Sequence, residues 1–174
     1  KSKSIQNFFS WKLKPMKVRK LGLRLVDTAL RISGDSIANY APIMVVIQDD
    51  LCKYLIQTML NEPKLLSNAL QVFKLLITYH RAELKMPIEV VFNAVYLRAL
   101  SGSIKHSESV IEVLENLSDL HSIPTFWSEL YINYDCDPRC SNVMENLCKF
   151  LTKNTFPIFM RSEKKHILGH TQML

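Results

Sequence analysis

Glycine and strand-like alternation are both scarce in this chain, which has 4 Gly and 7 Pro in 174 residues. The apolar residues favour Leu, Ile and Met, and few runs alternate Val, Thr or Tyr with polar residues. Sheet is therefore excluded as the main architecture, and an all-α fold is expected. Cysteine is limited to Cys52, Cys136, Cys140 and Cys148, with no signal-peptide pattern ahead of them. That excludes a disulfide scaffold and fits a reducing, cytoplasmic setting. The longest apolar run, Ala41 to Ile47, contains Pro42 and is far short of the ~20 residues needed to cross a bilayer. A glycine-rich phosphate loop, a nucleophile elbow and a paired-histidine motif are all missing, so the chain carries no legible enzyme chemistry.

Acid is missing from one region only. Residues 1–24 hold eight bases and no Asp or Glu, whereas residues 25–160 hold 11 bases and 15 acids. The net charge of +6 thus belongs to the ends, and a basic groove for nucleic acid along the fold is not expected. What is present is ordinary globular material, 48% hydrophobic and 22% charged, enough for one domain with a sizeable core. Residues 1–16 read as a basic linker or arm, and 17–174 as a single helical domain. Phe8, Phe9 and Trp11, with Lys12 and Lys14, could pack on the body or touch a membrane surface. The chain starts without Met and ends on Leu174 in a helix-like pattern, as expected of a piece cut from a longer protein.

From Lys17 a helical period places Val18, Leu21, Gly22, Leu25, Ala29 and Ile32 on one face, which is the expected core face, and Gly34 ends the helix. A second segment, Asp35 to Gln48, is expected to be kinked by Pro42, and a third to start at Asp49-Asp50 with Cys52, Leu55, Ile56, Met59 and Leu60 inward. Pro63 precedes the clearest period in the chain: Leu66, Ala69, Leu70, Phe73, Leu76, Ile77 and His80. Pro87 leads a helix with Ile88, Val91, Phe92, Val95 and Ala99 inward. Ser109 and Glu112 have capping-box spacing, and Ile123-Pro124 breaks the chain again. Helices of this length joined by short turns predict stacked antiparallel pairs, a right-handed solenoid segment of HEAT or armadillo type, with an irregular bundle as the alternative.

Two segments invite a chemical reading. Cys136-x3-Cys140 with His166-x3-His170 has the look of a zinc site, but the 25-residue gap is too long for a finger, so no metal or other cofactor is expected. Cys136 lies between Asp135 and Asp137, whose charge disfavours a thiolate, so a reactive cysteine is not expected either. Cys52 and Cys148 sit on apolar stripes and read as core. The stretch Asn133-Tyr134-Asp135-Cys136-Asp137-Pro138 must turn after a helix bearing Phe126, Trp127, Leu130 and Tyr131. Asn and Asp side chains suit such a turn, and Ser141 or Asn142, answered by Glu145, can cap the next helix.

The same stretch carries a resemblance. Tyr131-Ile132-Asn133-Tyr134-Asp135-Cys136-Asp137, continued by Cys140 through Asn154 and by Phe156-Pro157, resembles the HUS box of the large guanine nucleotide exchange factors for Arf GTPases. The box is named for homology upstream of their exchange domain. Ile123 to Asp137 and Asn154 to Pro157 resemble the Golgi brefeldin A-resistance type more than the trans-Golgi type. Leu21 to Leu25, Ile47 to Leu55 and Ala69 to Leu76 look like the preceding helices of the domain.

The resemblance implies a non-catalytic regulatory domain, peripheral on Golgi membranes, with exchange activity residing elsewhere in the parent protein. The implied partner is the N-terminal dimerisation and cyclophilin-binding domain of the same protein. Arf or Rab GTPases, Golgi lipids and a homodimer through the parent protein are further implied partners. It assigns Asn133, Tyr134, Asp135, Cys136, Asp137 and Asn142 to a docking corner. A Golgi trafficking scaffold that lacks the exchange domain is the alternative reading.

Overall fold

In a computed structural model of the chain, the described residues are 15–101 and 107–153. Phe8, Phe9, Trp11, Lys12, Lys14, His166 and His170 lie outside them. Seven helices and no strands make up the described fold. We number them α1 (Met16–Ser33), α2 (Ala41–Val46, continuing through Ile47–Leu51 into Cys52–Asn61) and α3 (Leu66–His80). Next come α4 (Lys85–Val91, Phe92–Tyr96 and Leu97–Leu100) and α5 (Ser107–Leu120). The last two are α6 (Phe126–Leu130, then Tyr131–Asp135) and α7 (143–153).

Helix α3 is the centre. Its buried residues are the predicted stripe plus Val72 and Leu75, so nearly its whole circumference is covered. It packs against α1, α2 and α5, while α4 lies against α2 and α5. Successive helices thus alternate between a layer of α1, α3 and α5 and a layer begun by α2 and α4. This is the arrangement that stacked helical pairs produce, since each pair can bury its apolar face only against its neighbours. Phe126 of α6 continues the second layer against Phe92 of α4, with ring centroids 6.1 Å apart.

No sequence consensus announces the repeat, but the backbone carries one. Each second-layer helix contains a five-residue π turn: Ile47–Leu51, Phe92–Tyr96 and Tyr131–Asp135. Their starts are 45 and 39 residues apart, close to the period of about 40–47 for helical pairs of the HEAT and armadillo kinds. A π turn admits one extra residue and re-aims the side chains beyond it.

Several local expectations are corrected. The predicted core face of α1 points outward: Val18, Leu21, Leu25 and Ile32 are exposed, and Leu23 and Leu30 are buried with Arg19. Arg19 is tolerated there because it donates from Nη1 to Glu62 Oε1 (3.0 Å) and its guanidinium lies over the Tyr54 ring. Pro42 does not kink a helix; it sits in the first turn of α2, where a missing N–H costs nothing. The two segments expected around Asp49 form one rod, because the π turn absorbs the change of phase. Asp49 lies in that turn and pairs with Lys53 (3.8 Å). Leu60, placed on the inward stripe of this rod, is exposed.

The Ser109–Glu112 capping box does not start α5, which begins at Ser107 and buries Ser109. Cys148 is exposed, whereas Cys52 is core and its burial pushes the thiol up to about 12. Other expectations hold. Gly34 ends α1 at φ +50°, a conformation that side-chain-bearing residues rarely adopt.

Inside the core, the Tyr96 hydroxyl donates to Asn116 Oδ1 (2.5 Å), and Asn116 Nδ2 donates to the Leu70 carbonyl (3.4 Å). This pairing offsets the cost of burying polar groups between α4, α5 and α3. Truncation separates the two faces of α1. Leu23→Ala should lower unfolding stability by about 2–5 kcal/mol in chemical denaturation. Leu25→Ala should change it by no more than about 0.5 kcal/mol. A reversed order would show that the exposed face of α1 is the buried one.

Candidate docking corner

The corner between α6 and α7 is built from the end of one helix reaching the start of the next. The chain remains helical through Asp135 and turns only from Cys136, later than the sequence suggests. The Asp135 carboxylate accepts from the backbone N–H of Met144 (2.9 Å) and of Glu145 (2.8 Å). These are among the first amides of α7, whose donors have no partner within the helix. Asp135 therefore does the work of an N-cap from nine and ten residues upstream. Asn142 stands at the expected cap position, but its side-chain amide donates to Glu145 Oε2 (2.7 Å) instead.

Asp137 clamps the turn. It accepts from Lys85 Nζ (2.7 Å) and from the Arg139 backbone N–H, Nε and Nη2, each at 3.0 Å. Those hydrogen bonds, Arg139's first and then Lys85's, hold its carboxyl well below the usual range. The Tyr134 hydroxyl donates to the Lys85 carbonyl (2.8 Å), and burial raises its pKa. Ser141 completes the seam: its N–H and hydroxyl both donate to Glu89 Oε1 (2.6 and 2.7 Å), and Asn93 Nδ2 donates to its Oγ (2.7 Å). The partners on α4 are Lys85, Glu89 and Asn93, spaced by four and hence on one helical face. That polar stripe is present in the sequence as a four-residue spacing, but nothing local to it marks which segment it meets.

The structure brings Tyr134, Asp135, Asp137, Ser141 and Asn142 into one corner as three hydrogen-bonded sets: Tyr134 and Asp137 on Lys85, Asp135 and Asn142 on the start of α7, and Ser141 on Glu89 and Asn93. Asn133 and Cys136 are left outside these sets and exposed. Asn133 lines a cavity of about 200 Å³ between α6 and the α3–α4 turn. The floor is Ile88, Phe126 and Leu130, and the rim includes Arg81, Lys85 and Glu129. Arg81 Nη2 donates to Glu129 Oε1 (2.8 Å), and Thr125 Oγ1 donates to the same oxygen (2.6 Å). Arg81 first, then Thr125, lowers the Glu129 carboxyl from 4.5 to about 2. Thr125 holds φ 60°, a left-handed conformation that starts α6 after Pro124. Among the described residues, no group of three or more His, Cys, Asp and Glu could hold a metal ion. None of their helices is long and apolar enough to cross a membrane.

Two measurements check this geometry. Asp135→Ala should cost about 0.5–2 kcal/mol and speed amide exchange at Met144 and Glu145; unchanged protection would remove the capping role. The pH test follows from Glu129, whose folded carboxyl is depressed. Its pairing stabilises the fold fully above about pH 4.5 and is lost as pH falls toward 2. With 37% of that side chain open to solvent the contribution is small. Glu129→Gln should therefore slightly flatten the acid limb of Tm against pH and leave its neutral shape unchanged.

Comparison with known proteins places this corner in context. A family model for the HUS domain of Mon2/Sec7/BIG1-like proteins matches residues 3–143. The chain is 36% identical over 152 residues to the ARF guanine-nucleotide exchange factor GNOM of Arabidopsis thaliana, covering 84% of this chain and 10% of that protein. It is 32% identical over 161 residues to the Golgi-specific brefeldin A-resistance guanine nucleotide exchange factor 1 homolog of Caenorhabditis elegans, covering 88% of this chain and 8% of that protein. It is 31% identical over 152 residues to ARF guanine-nucleotide exchange factor 2 of Saccharomyces cerevisiae, covering 80% and 10%. The chain thus spans about a tenth of the length of these relatives. No solved structure matches it. With the family model extending over most of the chain and ending at the first residue of α7, this chain belongs to the HUS domain family.

Proposed function

We propose that this HUS domain is a regulatory docking module of a large Arf exchange factor, working at Golgi membranes. The HUS domain is not the catalytic Sec7 domain, so the chain is not itself the catalyst; exchange activity would belong to another part of the parent protein. The observation that carries the reading is how the box divides its residues. Tyr134, Asp135 and Asp137 spend their polar groups on bonds within the fold, while Tyr131 and Ile132, exposed by 53% and 61%, directly precede Asn133, which lines the cavity. A hydrogen-bonded frame with an exposed apolar pair beside it is what a stable docking surface requires, since the frame keeps the contact residues in place at little further entropic cost.

The partner proposed for this face is the N-terminal dimerisation and cyclophilin-binding domain of the same polypeptide. Pairing of those domains would let the parent protein dimerise. Golgi placement is supported by the name of the nematode relative, and recruitment to the membrane would follow from the assembled regulatory region. Arf or Rab GTPases would be further partners of that region.

Titration calorimetry of this chain against the separately expressed partner domain tests the reading. Ile132→Asp combined with Asn133→Ala should weaken binding at least about tenfold while leaving Tm within a few degrees, because both side chains are exposed. Asp135→Ala should weaken it only in proportion to the loss of α7. Wild-type affinity in the Ile132 and Asn133 variant would exclude the α6 face as the docking surface.

A further inference from the structure

Helix α1 has two apolar faces, and the fold uses one. At 100° per residue, Leu23, Val26 and Leu30 fall with Arg19 on the side turned to α3. Val18, Leu21, Leu25 and Ile32 fall on another side and are exposed by 47, 55, 62 and 82%. Beside this second stripe, on the flank away from the core, run Lys17, Lys20, Arg24 and Arg31, all exposed. The helix has a single acid, Asp27, and Arg31 already neutralises it by donating to both carboxylate oxygens (2.9 and 3.2 Å). The chain leading into α1 has the same sign: residues 1–24 carry eight bases and no acid.

An exposed apolar stripe bordered by bases is the pattern of a helix that lies in a membrane interface. Its apolar side chains enter the acyl boundary, and the long basic side chains reach the headgroups. The charge decides between occupants. Residues 1–14, rich in apolar side chains themselves, carry only bases, so packing them on this face would set like charges together. A second copy of α1 would do the same. An anionic phospholipid surface meets both requirements at once, because each base near such a surface adds attraction while the stripe buries apolar area.

We infer that the outer face of α1 is a membrane-contact surface for anionic phospholipid, with Leu21 and Leu25 as its apolar anchors and Lys20 and Arg24 as its charged border. This deepens the recruitment part of the proposed function and leaves the α6 docking face out of account, so the calorimetric test above and the one below fail separately.

Flotation of the 174-residue chain with phosphatidylcholine vesicles, and with vesicles of phosphatidylcholine and phosphatidylserine, tests it. The chain should float with the mixed vesicles only, and less so at high salt. Leu21→Ser with Leu25→Ser should reduce the bound fraction, and Lys20→Glu with Arg24→Glu should weaken binding more than about tenfold. Helical circular dichroism should be unchanged in both, since none of the four side chains is buried. Deletion of residues 1–14 should leave binding that still depends on Leu21 and Leu25. Three results would overturn the inference: no flotation of the wild-type chain, flotation indifferent to the α1 substitutions, or loss of all binding on deletion of residues 1–14. A wild-type chain that self-associates without binding lipid, and becomes monomeric as Leu21→Ser with Leu25→Ser, would assign the face to a protein neighbour and equally overturn it.

Discussion

Leu66–His80 leaves almost no side open to water: Leu66, Ala69, Leu70, Val72, Phe73, Leu75, Leu76, Ile77 and His80 are all buried along it. A helix can be surrounded in this way because its backbone groups are satisfied within the rod, so only side chains need partners. The demand for cover then organises its neighbours. Helices α1, α2 and α5 lie directly on it, and α4 closes the space between α2 and α5. Phe92 and Tyr96, stacked with centroids 4.6 Å apart, carry that packing onward. Their environment ties the polar pair Tyr96–Asn116 back to the Leu70 carbonyl of the central helix.

The corner depends on this chain of supports. Once α4 is held by α2 and α5, its stripe of Lys85, Glu89 and Asn93 faces the turn between α6 and α7 and meets Tyr134, Asp137 and Ser141. Hydrogen bonds to charged groups are stronger than neutral ones, and several here are partly shielded from water. The aspartates of the box thus act as fixed acceptors. Asp135 satisfies amides of α7, and Asp137 locks Lys85 to Arg139; each is engaged in folding and not presented to a substrate. With these acids turned inward, the docking proposed above falls to the exposed side of α6. The three π turns fit the same logic. They recur once per helical pair in the second layer, and the last of them contains the first half of the box.

In the proposed function, the corner and the outer face of α1 have complementary places in one regulatory region. One is a rigid frame edged by Tyr131, Ile132 and Asn133; the other is an amphipathic rod with bases along its border. Helix α1 packs on α3 and α6 packs on α4, so contact with a partner domain at α6 would leave the outer face of α1 free for a different surface.

The sequence alone determined the helical class, the alternation of short turns and rods, and the turn that follows α6. Proline and glycine positions mark turns locally, and 3.6-residue spacing marks apolar faces without reference to the rest of the fold. It also identified the aspartates of the box as turn stabilisers, because hydrogen bonding to nearby backbone is a local property of that side chain, whereas Asn133, grouped with them, makes no such bond. What only the tertiary structure decided was which partner each face receives. In α1, Leu23, Val26 and Leu30 repeat as regularly as Val18, Leu21 and Leu25, so periodicity could not say which set α3 would cover. Around Asp137, the donor Lys85 lies 52 residues away. Its arrival is set by the packing of α4 between its neighbours, and no spacing rule within the box contains that information.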